Sequence, residues 1–327
     1  MIIMKAIILK EFGPAANLHV AEISAPEIAD NEVLIQVKAF GINPLDAHVR
    51  AIPDWWKLVS GSEVTEPYVI LGWDVAGVVT KVGEDVTRFK EGDAVYGLIR
   101  FLGAGNGYAE YVSAPEADLS LKPGNISFEE AAAATMAAQT AWVSLVHYGK
   151  IKKGDKVVIT GASGGVGHYA VQIAKSFGAY VVAVSSAENR DWVLSLGADE
   201  YIDYKTQNFE EIVKDADLVH DAVWSEDETH LARSLNALKP GGTLLSLMVF
   251  PSAEFIDAAK EQKDITVVRA NLSDTPDKQV DIEAINALLS AGKIKSHVSQ
   301  VFPMEDTYKA HIQIETHSTV GKVIVVP

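Results

Sequence analysis

The segment KVVITGASGGVGHYAVQIAKSFGA constrains this chain more than any other. An apolar, β-branched run leads directly into four glycines, Gly161, Gly164, Gly165 and Gly167, and an amphipathic stretch follows at once. Glycines at a strand-to-helix turn let the backbone bend tightly and bring its amides close to a bound anion. The amino end of the helix adds unpaired N–H donors and the positive end of its dipole. Ser163 and Val166 complete the turn. The glycine spacing is wider than the plain G-x-G-x-x-G fingerprint, since two residues separate Gly161 from Gly164. A glycine-rich turn alone is weak evidence, but here the strand, the helix and a following strand, YVVAVSS, are all in place.

That unit sets the rhythm of the middle of the chain. EYID, LVHDAV and GTLLSLMV continue as short apolar strands, separated by helical stretches such as ENRDWVLSLG and ETHLARSLNAL. Buried strands alternating with amphipathic helices predict a doubly wound parallel sheet. A long helix is expected from SFEEAAAATMAAQTAWVSLVHY, capped by Ser127 with Glu129 and Glu130 in its first turn. Before position 125 the pattern is of short strands and turns with little helix, as in a β-barrel or sandwich. The predicted division is 1–124, 125–271 and 272–327, the last segment returning to the first domain.

The residues after YVVAVSS bear on which dinucleotide the turn would hold. An acidic residue there would accept from a ribose 2′-hydroxyl. This chain has Ser185 and Ser186, with Arg190 shortly after, and such donors suit a 2′-phosphate. NADPH is therefore the expected cofactor, with Glu188 as a competing acid. Met248 and Val249 are expected to end the fifth strand, where their backbone groups would meet the carboxamide of the cofactor.

Charge and composition narrow the remaining classes. The 327 residues carry a formal net charge of −16, opposite to what a nucleic-acid binder needs. No apolar run approaches a membrane span, so neither a nucleic acid nor a membrane is an expected partner. The absence of cysteine removes disulfides, thiolate nucleophiles and cysteine-ligated zinc, and fits a cytoplasmic location. Nine histidines are present, none paired with a second ligand in a familiar zinc-helix spacing, and no metal is expected.

Several ordered segments carry a wider resemblance: AFGINPLD, LGWDVAGVV, GDAVYG, GYAEYV, GASGGVG and the closing GKVIVV. Together they resemble the medium-chain dehydrogenase/reductase superfamily, in its zinc-independent, ζ-crystallin-like quinone oxidoreductase branch. Where zinc-dependent members carry a catalytic cysteine this chain has Asn43, and where they carry Gly-His-Glu it has Gly72, Trp73 and Asp74. The resemblance implies an α/β protein made of a GroES-like β-barrel domain and a Rossmann doubly wound parallel-sheet domain, assembled as a homodimer. It implies hydride transfer from NADPH to a quinone or an α,β-unsaturated carbonyl. An enoyl-thioester or alkenal reductase and a non-catalytic NADPH-binding protein are the alternatives.

The resemblance also assigns expected roles. Asn43 is turned toward the nicotinamide, with Asp46 fixing the same turn, and His48 is a candidate proton donor. Trp55, Trp56 and Tyr68 lie in a loop expected to border the substrate. Thr140 is expected at the nicotinamide ribose, Tyr204 near the adenosine phosphate, and Lys322, after Gly321, near the cofactor phosphates. Each has a structural alternative: a turn for Asn43, packing for the aromatics, and an exposed strand residue for Lys322.

Overall fold

The computed structural model describes residues 2–61, 63 and 67–327. In chain order its strands are β1 (Ile3–Leu9), β2 (Leu18–Ser24), β3 (Glu32–Ile42), β4 (Val69–Ile70), β5 (Asp74–Val82), β6 (Ala94–Leu98), β7 (Tyr111–Pro115) and β8 (Leu119–Leu121). There follow β9 (Lys156–Thr160), β10 (Tyr180–Ser185), β11 (Glu200–Asp203), β12 (Ala216–Asp221), β13 (Leu238–Ser246), β14 (Thr266–Arg269), β15 (Val298–Pro303) and β16 (Lys322–Val326). Contacts divide the chain into two compact units. One comprises Met1–Met136, Asp277–Gly292 and Ser296–Pro327, the other Ala137–Pro276 and Lys293–Lys295.

The first unit is built from two sheets. One has the order β2-β1-β4, and the other runs β15-β16-β3-β5-β6-β8 with β7 also paired to β3. Pairing is antiparallel except between β15 and β16. A bridge between Ala6 and Ala109, and a bond from the Ile7 amide to the Tyr108 carbonyl (2.8 Å), link the sheets into a barrel-like wall. The return of the chain is structural: β16 pairs with β3 at Val323–Ile42, just where β3 delivers Asn43.

Two expectations need correction. Helices Pro44–Ala51 and Pro53–Ser60 occupy a region expected to be nearly free of helix. Each opens on a proline at its first position, where a missing N–H costs nothing. The long helix after Ser127 is also broken, into Phe128–Ala133 and Met136–Trp142 with a π-helical turn over Val143–Tyr148. At the break the Thr135 hydroxyl donates to the Ala132 carbonyl (2.8 Å), and the Met136 amide donates to Asp74 Oδ1 (3.0 Å). The helical ladder loses its next rung to a buried carboxylate from another element.

The second unit is one six-stranded parallel sheet, ordered β11-β10-β9-β12-β13-β14. The order reverses between β9 and β12, the switch point at which such sheets open a crevice for ligands. Val158, Val182, Ile202, Val219 and Leu244 are buried in one cluster against the flanking helices. His220, on β12, is fully buried and neither ring nitrogen has a hydrogen-bond partner.

Burial lowers the His220 pKa to about 4, although the Asp221 charge works the other way. Below its ordinary value near 6.5, the unfolded chain takes up a proton that the native protein refuses. His220 therefore costs stability as pH falls from 6.5 toward 4. His220→Leu, which removes an unsatisfied buried polar ring, is expected to add about 1 kcal/mol at pH 7. Its advantage should widen at pH 5. Denaturant unfolding at the two pH values checks this, and a variant less stable than the parent at pH 5 would contradict it.

Candidate active site

The glycine turn begins where β9 ends. Gly161 has a φ of +64°, and a Cβ on Gly167 would lie 2.1 Å from the Gly161 carbonyl oxygen. Only glycine lets the helix Gly167–Ser176 start this close to the strand. The Gly164 amide bonds the Gly161 carbonyl (2.9 Å), while the amides of Ser163, Gly165 and Val166 stay outside the hydrogen bonds of the turn. This is the cradle that a pyrophosphate requires.

A buried carboxylate that sequence reasoning missed, Asp221 at the end of β12, supports it. Asp221 Oδ1 accepts from the Thr160 hydroxyl (3.1 Å) and the Val223 amide (3.1 Å). Its Oδ2 accepts from the Ser234 hydroxyl (2.6 Å) and faces His230 Nδ1 at 2.9 Å. Burial pushes the carboxyl up, but the bonds with His230, Ser234 and Val223 outweigh it and hold its pKa below the ordinary carboxylate value. Asp221 thus pins the ends of β9 and β12 beside the turn. Its one sequence signal is an Asp closing the apolar run LVHDAV.

At the end of β10, Ser185 is 2% exposed and its hydroxyl has no partner. Asn189 Nδ2 reaches the hydroxyls of Ser186 (3.1 Å) and Ser163 (3.4 Å), tying this loop to the turn. The Tyr201 hydroxyl and the Tyr204 amide both bond the Ser185 carbonyl, at 3.0 and 3.3 Å, leaving the Tyr204 ring exposed. Arg190, with its side chain 61% exposed, pairs with Asp191 (3.3 Å). The competing acid, Glu188, is held by Lys205 (3.1 Å), a cation that the sequence reading missed. An orphaned hydroxyl, a glycine cradle and two nearby cations fit a dinucleotide.

Thr140 sits half-buried in the helix Met136–Trp142 of this unit. Met248 and Val249 do not end the fifth strand: β13 stops at Ser246, and both lie in the bend beyond it. The Val249 carbonyl accepts from the Ser246 hydroxyl (2.6 Å), which closes that bend.

In the first unit, Asn43 follows β3 and is 5% exposed. Its backbone amide donates to Asp46 Oδ2 (2.7 Å) and its side-chain Nδ2 to Asp74 Oδ2 (2.8 Å). Lys322 Nζ donates to Asn43 Oδ1 and lies 3.4 Å from the Ile42 carbonyl and 3.3 Å from Asp74 Oδ2. At 3% exposed, Lys322 is engaged in this cluster and is not an exposed strand residue. Gly41 makes room, since a Cβ there would meet Asp74 Oδ2 at 2.8 Å. A catalytic zinc does not fit these positions, because an ammonium group already lies against both the Asn43 and Asp74 oxygens.

The buried polar cluster extends beneath Asn43. Burial first, and then the Asp74 charge, raise the Asp46 pKa to about 7. The Tyr108 hydroxyl lies 3.2 Å from His311 Nε2, and burial and the Arg50 charge lower the His311 pKa to about 3. The predicted substrate aromatics do not form one surface. Trp55 stacks on His48 with centroids 5.6 Å apart. Trp56 and Tyr68 instead line a cavity of about 410 Å³ with Met4, Ile23, Ile70 and Tyr111. Residues 62 and 64–66 of the same loop lie outside the described residues.

A glycine cradle at the switch point of a parallel sheet, in one chain with a GroES-like unit, defines a dehydrogenase-type protein. Comparisons agree. Residues 29–124 match the family described as alcohol dehydrogenase GroES-like domain, and residues 196–325 the family described as zinc-binding dehydrogenase. Residues 130–227 match the alanine dehydrogenase/PNT C-terminal domain. The chain is 32% identical to the chloroplast envelope quinone oxidoreductase homolog of Arabidopsis thaliana, over 96% of this chain and 95% of that one. It is 34% identical to that plant's chloroplastic NADPH-dependent alkenal/one oxidoreductase, over 99% of this chain and 80% of the relative. Among solved structures, the quinone oxidoreductase from Coxiella burnetii superposes with a TM-score of 0.86 at 28% identity, covering 100% of both chains. The CurK enoyl reductase superposes with a TM-score of 0.88 at 27% identity, covering 99% of each.

The chain belongs to the medium-chain dehydrogenase/reductase superfamily, in its quinone oxidoreductase-like branch. It is an oxidoreductase that uses a pyridine nucleotide. Gly167→Ala is expected to weaken dinucleotide binding about tenfold or more, because its Cβ must displace backbone. Fluorescence titration reads this, and an unchanged Kd would show that the cradle does not hold the phosphates.

Proposed function

We propose that this protein reduces quinones or α,β-unsaturated carbonyls with NADPH. The observation that carries the reading is the closed Asn43–Lys322–Asp74 cluster, in which an amide stands at the position where zinc-dependent members of the superfamily carry a catalytic cysteine. Hydrogen bonding is a weaker activator than a Lewis acid, and suits acceptors that are already electron-poor. The relatives described as quinone oxidoreductase and alkenal/one oxidoreductase support the same class. When bound, the dinucleotide supplies hydride from its nicotinamide ring. The acceptor would gain that hydride and a proton, the proton coming from solvent or from a weak local acid. The fold likeness to an enoyl reductase favours a second reading, reduction of an enoyl thioester by the same chemistry.

The choice of NADPH rests on the Ser185 hydroxyl and on Arg190 and Lys205, with Ser186 tied to Asn189. Asn43 is the proposed contact to the acceptor. Thr140, Tyr204 and Met248 remain proposed cofactor contacts, and His48 a proposed proton donor. The reading includes a homodimer formed through the parallel-sheet units and a cytoplasmic location.

A panel of quinones, enones and one enoyl thioester, assayed with NADPH and with NADH, tests the reading. NADPH is expected to be favoured by about tenfold or more in kcat/KM, the worth of one charge-assisted contact. Arg190→Ala should raise KM for NADPH several-fold, about what an exposed cation contributes, and leave KM for NADH unchanged. Equal or better rates with NADH would overturn the cofactor assignment, and no turnover of any acceptor would overturn the reaction.

A further inference from the structure

Asn43 offers an acceptor two kinds of contact, an amide oxygen that accepts and an amide nitrogen that donates. The buried cluster settles how the amide is turned. The oxygen is taken by the Lys322 ammonium, and one of the two Nδ2 hydrogens by Asp74 Oδ2 at 2.8 Å. The two contacts are mutually consistent, since an ammonium group can only donate and a carboxylate can only accept. They fix the flip of the amide without appeal to any other group. What remains is one N–H on the nitrogen and, beside the ammonium, one lone pair on the oxygen.

We infer that Lys322 and Asp74 are positioning residues that fix the orientation of the Asn43 amide, so that its remaining N–H is the group offered to a carbonyl acceptor. This rests on the proposed reductase reading and refines it. A quinone or enone carbonyl can accept that N–H, and its oxygen becomes a better acceptor as hydride transfer builds charge on it. The ammonium already draws on Oδ1, which makes the lone pair left on that oxygen a weaker acceptor, so the amide meets a ligand chiefly as a donor. The ammonium on Oδ1 also draws electron density from the amide, which strengthens the remaining N–H as a donor. Burial of the whole cluster shields these bonds from water.

The same geometry separates this role from phosphate binding. A lysine that held the cofactor would, when removed, weaken dinucleotide binding. A lysine that orients Asn43 would leave dinucleotide binding intact and slow turnover of the acceptor.

Three variants, Lys322→Met, Asn43→Asp and the double substitution, are compared by NADPH titration and by steady-state kinetics on a quinone. Lys322→Met is expected to keep the NADPH Kd within about twofold. Its kcat/KM for the acceptor should fall about a hundredfold, as when one oriented donor is lost. The double variant should lose little more than either single one, since both act through one amide. Lys322→Arg, which keeps the cation, should recover part of the activity. A large rise in NADPH Kd for Lys322→Met, or losses that simply multiply in the double variant, would overturn the inference.

The Asn43 side-chain amide resonance supplies a readout that needs no turnover. It should be distinct and exchange-protected in the wild type and shift in both Lys322→Met and Lys322→Arg, most in the former. A wild-type amide with rapid exchange, or no shift in either variant, would show that the lock does not exist. Failure of the wild type to reduce any acceptor, with the amide still locked, would instead count against the reductase reading.

Discussion

The carboxylate of Asp74 is buried at the start of β5, and much of the first unit is arranged around it. It takes the Met136 amide on one oxygen and the Asn43 amide and Lys322 ammonium on the other. Burying a charge costs several kcal/mol unless its partners are well placed. Here the partners come from three parts of the sequence, so the charge acts as a constraint on their mutual arrangement. It explains why a helix breaks at residues 134–135, why glycine stands at position 41, and why the last strand returns to lie against β3.

The second unit uses a comparable device. Asp221 closes β12 and is fully bonded to groups on β9, on its own loop and on the following helix. The glycine turn is thus pre-shaped by a neighbouring strand. A phosphate cradle built of glycines has little rigidity of its own, because glycine restricts the backbone least. Rigidity has to come from the elements beside it.

The glycine turn and the alternating strands and helices were legible because their signals are local: period, composition and spacing within some twenty residues. The serines after β10 were legible for the same reason. The helices Pro44–Ala51 and Pro53–Ser60 were hidden by their brevity, each only two turns long. The break before Met136 was hidden because its cause, Asp74, lies 62 positions away. The partners of Lys322 are more distant still, at 248 and 279 positions, and no sequence pattern shows that a lysine after a hairpin glycine points inward. Trp55 and Trp56 are adjacent in sequence yet face different surroundings, as neighbours on a helix do.

The direct measure of the Asp74 constraint is the stability of Asp74→Asn, alone and combined with Lys322→Met, by denaturant unfolding at neutral pH. The single variant leaves a buried ammonium without its counter-charge and is expected to lose about 3–5 kcal/mol. Removing that ammonium as well should restore a substantial part of the loss. A single variant within about 0.5 kcal/mol of the parent, the range of an ordinary surface change, would contradict the central place given to this carboxylate. So would a double variant whose losses simply add.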